Sequence, residues 1–535
     1  MARIGIDFGT TNTKAVIHDR GLFSVVLHQA QTTAGTIAQE VFPSAILIDK
    51  ESGRRWFGLE ADRHSTELGV SSGLVIVSSL KRQLRNYAEG KVVTLEVDDV
   101  GTDTQQTNLT FGIAALLTEF LKALAHSIRH SQMLTNGEPL EAVITWPANA
   151  NGAQRYITRT CFREAGFQVI DTLNEPTAAA IELADYLTAG QGKKTQVEPY
   201  AVAVFDLGGG TFDASVVWID GEDFRVLASA GIEELGGDDF DKVLLEMFLA
   251  KLKLPSETVS PLIRYALLQH ARSQKESIST GVVKSLFLHP RDFRLKGQPV
   301  SIPVDAYRER IRPLLKPAVS TLRGIIQSVS AKEVRLDIDS ESLIIYLVGG
   351  SSKLPFVAEI ISEAFPNSRV MLSDKPFRSI ALGAAICAAD RVTYRDVFAR
   401  HFGLIRLKDH GRMETFDAIF PSGTPIPRRG EPPIEKVVWY APAHNIGHLR
   451  YLECTSIGPD GMPSDGVRAW SDILFPYDPA YPLWAPVSQN DIIRTDLFSN
   501  LAVCEIYRCD CDGVITVELQ NLARQESRRY EIYRN

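Results

Sequence analysis

The sequence lacks the features that mark membrane, secreted or nucleic-acid-binding proteins. No apolar run approaches the ~20 residues that a membrane-spanning helix requires, and the N-terminus enters a predicted strand without the pattern of a secretory signal. Acidic residues (65) outnumber basic ones (57), and the net charge of −8 argues against nucleic acid as the main partner. Only six cysteines occur in 535 residues. We therefore expect reduced thiols, a cytoplasmic location, and neither a membrane nor a nucleic acid as partner.

A glycine-rich hairpin is predicted at residues 201–217. Two runs of β-forming residues flank a glycine triplet at 208–210, which is typical of a strand, a tight turn and a returning strand. Glycine leaves backbone N–H groups open to a phosphate. Asp206 ends the first strand, where a hydrated Mg²⁺ would sit, and Thr211 offers a hydroxyl to a terminal phosphate. Standing alone, such a stretch is more often an ordinary hairpin than a phosphate site.

The segment 3–17 repeats the same order of residues. An apolar strand leads to Asp7, then an apolar residue, a glycine, threonines and a second apolar strand. Asp7 and Asp206 are roughly 200 residues apart, which is too long for a solenoid repeat. The distance fits two similar domains that face each other across one nucleotide. A chain of 535 residues has room for both and for a further domain.

Other candidate positions lie at predicted junctions between elements. Glu175 stands where a strand gives way to a helix, a place where α/β folds put ligand contacts, although a carboxylate there also stabilises the helix. Gly236 and Gly237 precede an acidic first helical turn, and residues 349–355 form a third glycine-rich junction between strand and helix. Lys81, beside arginines, is on its own typical of a solvated surface lysine.

Six ordered motifs carry a resemblance to a known family. They lie at residues 6–11, 142–148, 174–180, 205–213, 235–241 and 348–355. In this order and at similar spacing they resemble the ATPase motifs of the seventy-kilodalton heat-shock chaperone (heat-shock protein 70) family, and six ordered motifs are far more specific than one glycine loop. The resemblance implies an α/β fold: a two-lobed actin-like ATPase, built from a duplicated ribonuclease-H-like fold that closes on Mg·ATP, followed by a smaller β-sandwich.

The resemblance also implies roles for individual residues, with ATP or ADP and Mg²⁺ as cofactors. Nucleotide contacts are implied for Thr10, Thr11, Asn12, Gly208, Gly209, Gly210, Thr211, Gly236, Gly237, Lys275, Ser279, Gly349, Gly350, Ser351 and Lys353. Magnesium binding is implied for Asp7, Asp206 and Glu175, and catalytic roles for Lys81, Glu175, Asp206, Thr211 and Asp213. Catalysis of this kind is mainly positioning and charge stabilisation of the transferred phosphoryl group.

The sequence departs from the family's pattern at three places near the base-binding end. Arg272 stands where an acid is expected, and Pro376-Phe377-Arg378 replaces a proline–acid–acid run. Lys353 takes the place of an arginine that often stacks on adenine, and lysine lacks the planar head for that contact. The resemblance therefore predicts phosphate and magnesium binding and leaves base preference and affinity open.

The residues after the ATPase motifs change to short β-like runs with many prolines and glycines, which is typical of an all-β domain. The predicted organisation is an ATPase domain at 1–389, a linker at 390–410 and a β-rich peptide-binding domain at 411–535. We expect Val397, Phe398 and Phe402, in the linker, to dock apolar surface on the ATPase domain.

Two features set the predicted β-domain apart from the family. Residues 463–486, rich in Trp, Tyr and Pro, have no counterpart in the family's pattern. No long helical segment follows the last β-like run, so we expect a domain without a helical lid. Because lid closure slows the release of bound peptide, this domain is expected to release peptides quickly.

Three functions remain open from the sequence. The leading hypothesis is an ATP-dependent chaperone, a monomer that hydrolyses Mg·ATP to alter its grip on extended client peptides, with a co-chaperone and a nucleotide exchange factor as possible partners. The second is a nucleotide-switched adaptor that binds one dedicated folded partner, which the aromatic-rich segment favours. The third is a filament-forming actin-like ATPase, or a sugar or acetate kinase of the same superfamily, although kinases lack such a β-sandwich.

Overall fold

The computed structural model describes residues 2–32, 35–67, 74–78, 80–84, 92–95, 109–131, 134, 137–189, 199–259, 261–330, 343–408, 413–478, 480–481, 486–495, 501–522 and 524–532. The chain divides into two compact units. Unit 1 comprises Met1–Gln83, Val92–Ala148 and Arg159–Thr393, and unit 2 comprises Leu84–Lys91, Asn149–Thr158 and Tyr394–Asn535. Within the described ranges, no helix has the length and apolar character needed to cross a membrane.

The first lobe of unit 1 is built on a mixed sheet. Its elements are β1 (Arg3–Phe8), β2 (Asn12–Asp19), β3 (Leu22–Val25), β4 (His28–Thr32), β5 (Gly35–Gln39), β6 (Phe42–Pro43), β7 (Ala45–Asp49), β8 (Arg55–Phe57), α1 (Leu59–Glu67), β9 (Leu74–Ser78), α2 (Leu80–Gln83), β10 (Val92–Leu95), β11 (Leu109–Gly112), α3 (Ile113–His130), β12 (Leu140–Trp146), the second half of α4 (Gly152–Glu164), β13 (Phe167–Asn174) and α5 (Glu175–Ala189). The first half of α4, up to Thr158, belongs to unit 2. The main sheet has the order β13-β12-β1-β2-β3, with β6 beside β2. Strands β1 and β12 are apolar and buried almost throughout, as expected for central strands covered on both faces.

The second lobe repeats this sheet. Its elements are β14 (Tyr200–Leu207), β15 (Phe212–Asp220), β16 (Asp223–Ile232), α6 (Gly237–Leu252), α7 (Pro261–Ser277), β17 (Ser285–Leu288), β18 (Val300–Pro303), α8 (Val304–Ser330), β19 (Ile344–Val348), α9 (Pro355–Ala364), β20 (Arg369–Leu372), α10 (Ser379–Ala388) and β21 (Thr393–Arg395). The sheet order is β20-β19-β14-β15-β16-β21. In both sheets the hairpin strand pairs antiparallel on one side and in parallel on the other. The predicted duplication is therefore confirmed.

Small residues let helices α5 and α10 and strand β1 approach one another closely. A Cβ on Gly383, in α10, would overlap the backbone carbonyl of Ala178 in α5. A Cβ on Gly5, in β1, would overlap the backbone of α10 at Ala381 and Ala385. Helix α10 therefore lies directly against the strand that carries Asp7, and both contacts depend on the absence of side chains.

Unit 2 contains a β-sandwich. Its strands are β22 (His401–Lys408), β23 (Met413–Phe420), β24 (Ile434–Tyr440), β25 (Ile446–Cys454), β26 (Ser456–Ile457), β27 (Pro463–Asp465), β28 (Arg468–Pro476), β29 (Val503–Cys509), β30 (Ile515–Asn521) and β31 (Glu526–Glu531). One sheet has the order β23-β22-β25-β28 and the other β24-β29-β30-β31. Alternating side chains of both sheets, among them Phe402, Tyr451, Tyr507 and Val517, form one buried core.

The segment expected as a linker, 390–410, contains a strand of this sandwich. Phe402 is fully buried in the sandwich core because alternate residues of β22 face the second sheet. Phe398 stacks on Phe420, with 5.6 Å between the ring centroids, and Val397 forms a bridge with Pro425. These apolar residues belong to the core and edge of unit 2, which corrects the expectation that they dock on the ATPase domain.

The aromatic-rich segment 463–486 is in part an ordinary element of the sandwich. Strand β28 pairs antiparallel with β25 and completes the first sheet. Phe475 and Tyr477 are buried in the core. Aromatic residues in this segment therefore pack the sandwich. Residues 479 and 482–485 of this segment lie outside the described residues.

The close crossing of α5 and α10 predicts that a single methyl group added at Gly383 strongly lowers stability. We expect Gly383→Ala to lower the free energy of unfolding by about 1–3 kcal/mol, because the methyl group must displace the Ala178 backbone. Gly324→Ala is the matched control: Gly324 lies in α8 with nothing within 4 Å of an added Cβ, and alanine there raises stability by up to about 1 kcal/mol through helix propensity. Urea unfolding measures both variants. Equal stability of the two would contradict the close crossing.

Candidate functional site

One cavity of about 280 Å³ in unit 1 gathers residues from the two hairpins and from the third glycine-rich junction. Its lining is Asp7, Gly9, Thr10, Thr11, Asn12, Lys14, Lys81, Glu175, Asp206, Gly208, Gly209, Thr211, Asp238, Arg272, Lys275, Glu276, Ser279, Gly349, Gly350, Ser351, Lys353, Leu354, Pro376, Phe377 and Ile380. The duplication explains why they meet, since equivalent hairpins of the two lobes contribute equivalent ends to the same space.

The two hairpin turns lie against each other. A Cβ on Gly209 would overlap Thr11 Oγ1 of the opposite turn. The second turn is closed by the Gly208 N–H, which donates to Thr211 O at 3.0 Å. Gly349 has φ +84°, and a Cβ there would overlap the backbone of Leu207. Glycine is therefore required where these loops border the cavity, and the backbone remains accessible there.

Three buried carboxylates surround one end of the cavity. Asp7, Glu175 and Asp206 are each 5% exposed, and the Lys81 ammonium forms an ion pair with Glu175. Burial raises the pKa of Glu175 to about 7; Lys81 opposes this shift and Asp7 adds to it. Burial likewise raises the pKa of Asp206 well above its ordinary value, and Glu175 and Asp213 raise it further. Such a cluster keeps its charge most easily when a cation lies among the carboxylates.

Helix α7 places two cations against the acidic start of α6. Arg272 Nε lies 3.1 Å from Asp241 Oδ2 and its Nη2 lies 2.9 Å from Asp238 Oδ1. Lys275 Nζ lies 2.7 Å from Asp241 Oδ1 and donates to the Gly237 carbonyl at 2.9 Å. Arg272, found where an acid was expected, therefore has its acidic partners on the neighbouring helix.

Phe377 forms the wall near the third junction. Its side chain is 39% exposed, and Lys353 Nζ lies 4.8 Å from the ring centroid, within cation–π range. A Cβ on Gly350 would lie 2.7 Å from the ring, so the absence of a side chain at Gly350 leaves room for the Phe377 ring. The next residue, Arg378, donates from Nε to Glu40 Oε2 at 2.7 Å. Phe377 and Arg378, which stand where the family's pattern has two acids, thus supply an aromatic wall and an ion pair.

Most of the predicted site residues line this cavity. The exceptions, which lie beside or behind the lining, are Gly210, Asp213, Gly236 and Gly237. Asp213 is the cross-strand partner of Asp206, and a Cβ on Gly237 would lie 2.6 Å from Ser351 Oγ. The assigned roles stay predictions, but the residues themselves lie together.

Sequence reasoning missed several lining residues, notably Lys14, Asp238 and Glu276. Asp238 lies in the acidic first turn that follows Gly237, but it was not assigned a role, and Glu276 lies on α7 without a separate signal. For Lys14 a signal existed: it stands to Asp7 as Asp213 stands to Asp206, so the duplication marks its position.

Comparison with known proteins identifies relatives. A family model described as Hsp70 protein matches residues 3–397. A "Chaperone protein HscA homolog" of Pseudoalteromonas atlantica is 32% identical over 391 residues, covering 72% of this chain and 58% of the relative. A "Chaperone protein DnaK" of Thermotoga neapolitana is 30% identical over 440 residues, covering 80% and 66%. The match thus spans less than two thirds of these relatives' length.

The buried Glu175 predicts a pH dependence of stability. Its pKa is about 7 in the folded chain, whereas an unfolded glutamate titrates near ~4.3. Between these values the folded state binds more protons than the unfolded state, so the contribution of Glu175 to stability falls as pH rises. Glu175→Gln has no proton to lose, so its free energy of unfolding relative to the wild type is expected to increase from about pH 5 to about pH 8.

Urea unfolding at both pH values measures this difference. Glu309→Gln, at an exposed glutamate of α8, is the matched control. A Glu175→Gln difference that is constant across the range, or that runs the other way, would show that Glu175 does not hold its proton in the folded chain.

Proposed function

Because the chain belongs to the Hsp70 family, we propose that unit 1 binds Mg·ATP and hydrolyses it to ADP and phosphate, and that the nucleotide alters the grip of unit 2 on extended client peptides. The family's architecture, a two-lobed actin-like ATPase followed by a β-sandwich, is that of this chain. The observation that carries the proposal is that two equivalent hairpins contribute one buried aspartate each to a single cavity.

The donors around the cavity fit a magnesium-bound triphosphate. Side chains are absent where Gly208 and Gly209 border the space, so phosphate oxygens can approach the backbone of this turn, which the Gly208 N–H holds closed through its bond to Thr211 O. Thr10, Thr11, Asn12 and Thr211 add hydroxyl and amide donors. Oxygen-rich clusters of carboxylates are the ligands that Mg²⁺ prefers.

In this proposal Asp7, Asp206 and Glu175 hold the hydrated Mg²⁺. Bound there, the ion would neutralise phosphate charge that the buried carboxylates alone would repel. Gly210, Gly236 and Gly237 support the phosphate loops from behind. Lys275, Ser279, Gly349, Gly350, Ser351 and Lys353 contact the nucleoside.

Hydrolysis requires a water molecule in line with the terminal phosphorus, where a bond to the water oxygen forms as the bond to the bridging oxygen breaks. We assign the orientation of this water to Lys81, Glu175 and Asp213. Lys81 is buried and held by its ion pair with Glu175, so its ammonium has little freedom. Asp206 or Thr211 assists the transfer of the proton that the water loses. The contribution of these residues is positioning and charge stabilisation.

Client binding belongs to the sandwich in this proposal. Extended segments bind to β-domains through backbone hydrogen bonds and pockets for alternate side chains. The match covers less than two thirds of the HscA and DnaK relatives, so peptide binding, a co-chaperone and a nucleotide exchange factor are part of the proposal. A cytoplasmic location and a monomeric state stay predictions.

Lys81→Ala tests the coupling between ATP hydrolysis in unit 1 and peptide binding by unit 2. We expect the variant to bind ATP with nearly wild-type affinity and to hydrolyse it roughly 100-fold more slowly, the usual cost of losing one charge-stabilising donor. Because ATP persists in the variant, a fluorescent extended peptide should stay weakly bound when ATP is added. In the wild type, peptide affinity should recover as ATP is consumed.

Single-turnover hydrolysis and peptide anisotropy measure the two effects in the full chain, with Lys296→Ala, an exposed lysine, as control. Wild-type turnover in Lys81→Ala would remove this residue from the mechanism. Peptide affinity that ignores the nucleotide would contradict the chaperone proposal, and capture of one stoichiometric folded partner would instead select a nucleotide-switched adaptor.

A further inference from the structure

Lys14 occupies a special position in the duplicated hairpins. It is the cross-strand partner of Asp7 in the pairing of β1 with β2. In the second lobe the equivalent partner of Asp206 is Asp213. The two hairpins thus carry the same aspartate but face it with opposite charges, a lysine in one lobe and an acid in the other.

The Lys14 side chain is held at the cavity wall. Its Nζ lies 3.3 Å from Asp7 Oδ2, and the two side chains are 13% and 7% exposed. The same Nζ lies 5.7 Å from the centroid of the Phe377 ring. The neighbouring Thr13 is fully buried and its hydroxyl lies 3.1 Å from Ser44 Oγ. Side chains of β2 therefore alternate between the cavity side of the strand and the core side.

Lys14 is a partly buried lysine of a cavity in which two other lysines are held by their own partners. Lys81 is paired with Glu175, and Lys275 binds both Asp241 and the Gly237 carbonyl. Lys14 borders the cavity beside Thr10 and Thr11. An ammonium has three protons to donate, and one bond to Asp7 leaves two for a ligand in the cavity.

We infer that Lys14 is a phosphate-binding residue, whose ammonium donates hydrogen bonds both to the phosphate chain of the nucleotide and to the Asp7 carboxylate. This inference rests on the proposed binding of ATP in the cavity. A fixed cation at this place attracts a polyphosphate even without a divalent ion, so part of the ATP affinity is independent of magnesium.

Calorimetric titration of the nucleotide-free full chain with ATP tests this, with excess Mg²⁺ and with EDTA. We expect the wild type to bind ATP in both conditions. Lys14→Met should weaken binding in EDTA by roughly 10- to 100-fold, the range for a lost hydrogen bond to a charged group. Lys14→Arg should retain most of the affinity, and Lys296→Met, at an exposed lysine, is the control for charge alone.

The double variant Asp7→Asn/Lys14→Met distinguishes direct contact of Lys14 with phosphate from neutralisation of the Asp7 charge by Lys14. If Lys14 acts only by neutralising Asp7, removing both charges restores the wild-type affinity in EDTA, and the inference is overturned. If Lys14 donates to phosphate, the double variant stays weak. Wild-type binding that requires Mg²⁺ also overturns the inference, whereas no ATP binding in either condition would instead contradict the proposed function.

Discussion

Two buried aspartates, Asp7 and Asp206, stand next to the ends of equivalent strands and border the same cavity, and the rest of unit 1 keeps them there. The turns after them touch, because Gly209 leaves no side chain between itself and Thr11. Behind Asp7, strand β1 lies against α10 at a distance that only Gly5 permits. A pair of like charges at this depth is unfavourable by itself. In the proposed function, a bound Mg²⁺ would offset this cost.

Electrostatics divide the cavity into two ends. At one end burial and the neighbouring carboxylates raise the pKa values of Glu175 and Asp206, and Lys81 opposes the shift at both. At the other end the acids of α6 are matched by Arg272 and Lys275. The proposed function places Mg·triphosphate at the first end and the nucleoside at the second. In that proposal the base would lie near Phe377 and Lys353, which depart from the family's pattern.

The sequence made much of this fold predictable, because strand–turn–strand patterns and glycine junctions are local signals that recur in order. Asp7 and Asp206 were found this way, and Glu175 was found from its place where a strand gives way to a helix. Other residues depend on pairing between distant segments. Arg272 was an unexplained departure until α6 supplied Asp238 and Asp241. Strand β22 was expected to be part of a linker, since its core position is set by its pairing with the separate strands β23 and β25.

The most direct test of the shared site is the gain in ATP affinity that magnesium provides, measured by calorimetry for Asp7→Asn, Asp206→Asn and the double variant. If both aspartates hold one ion, each single substitution removes most of the gain and the double variant loses no more than either. A single variant that keeps the full wild-type gain, or losses that add up in the double variant, would show that the two carboxylates do not act on the same metal.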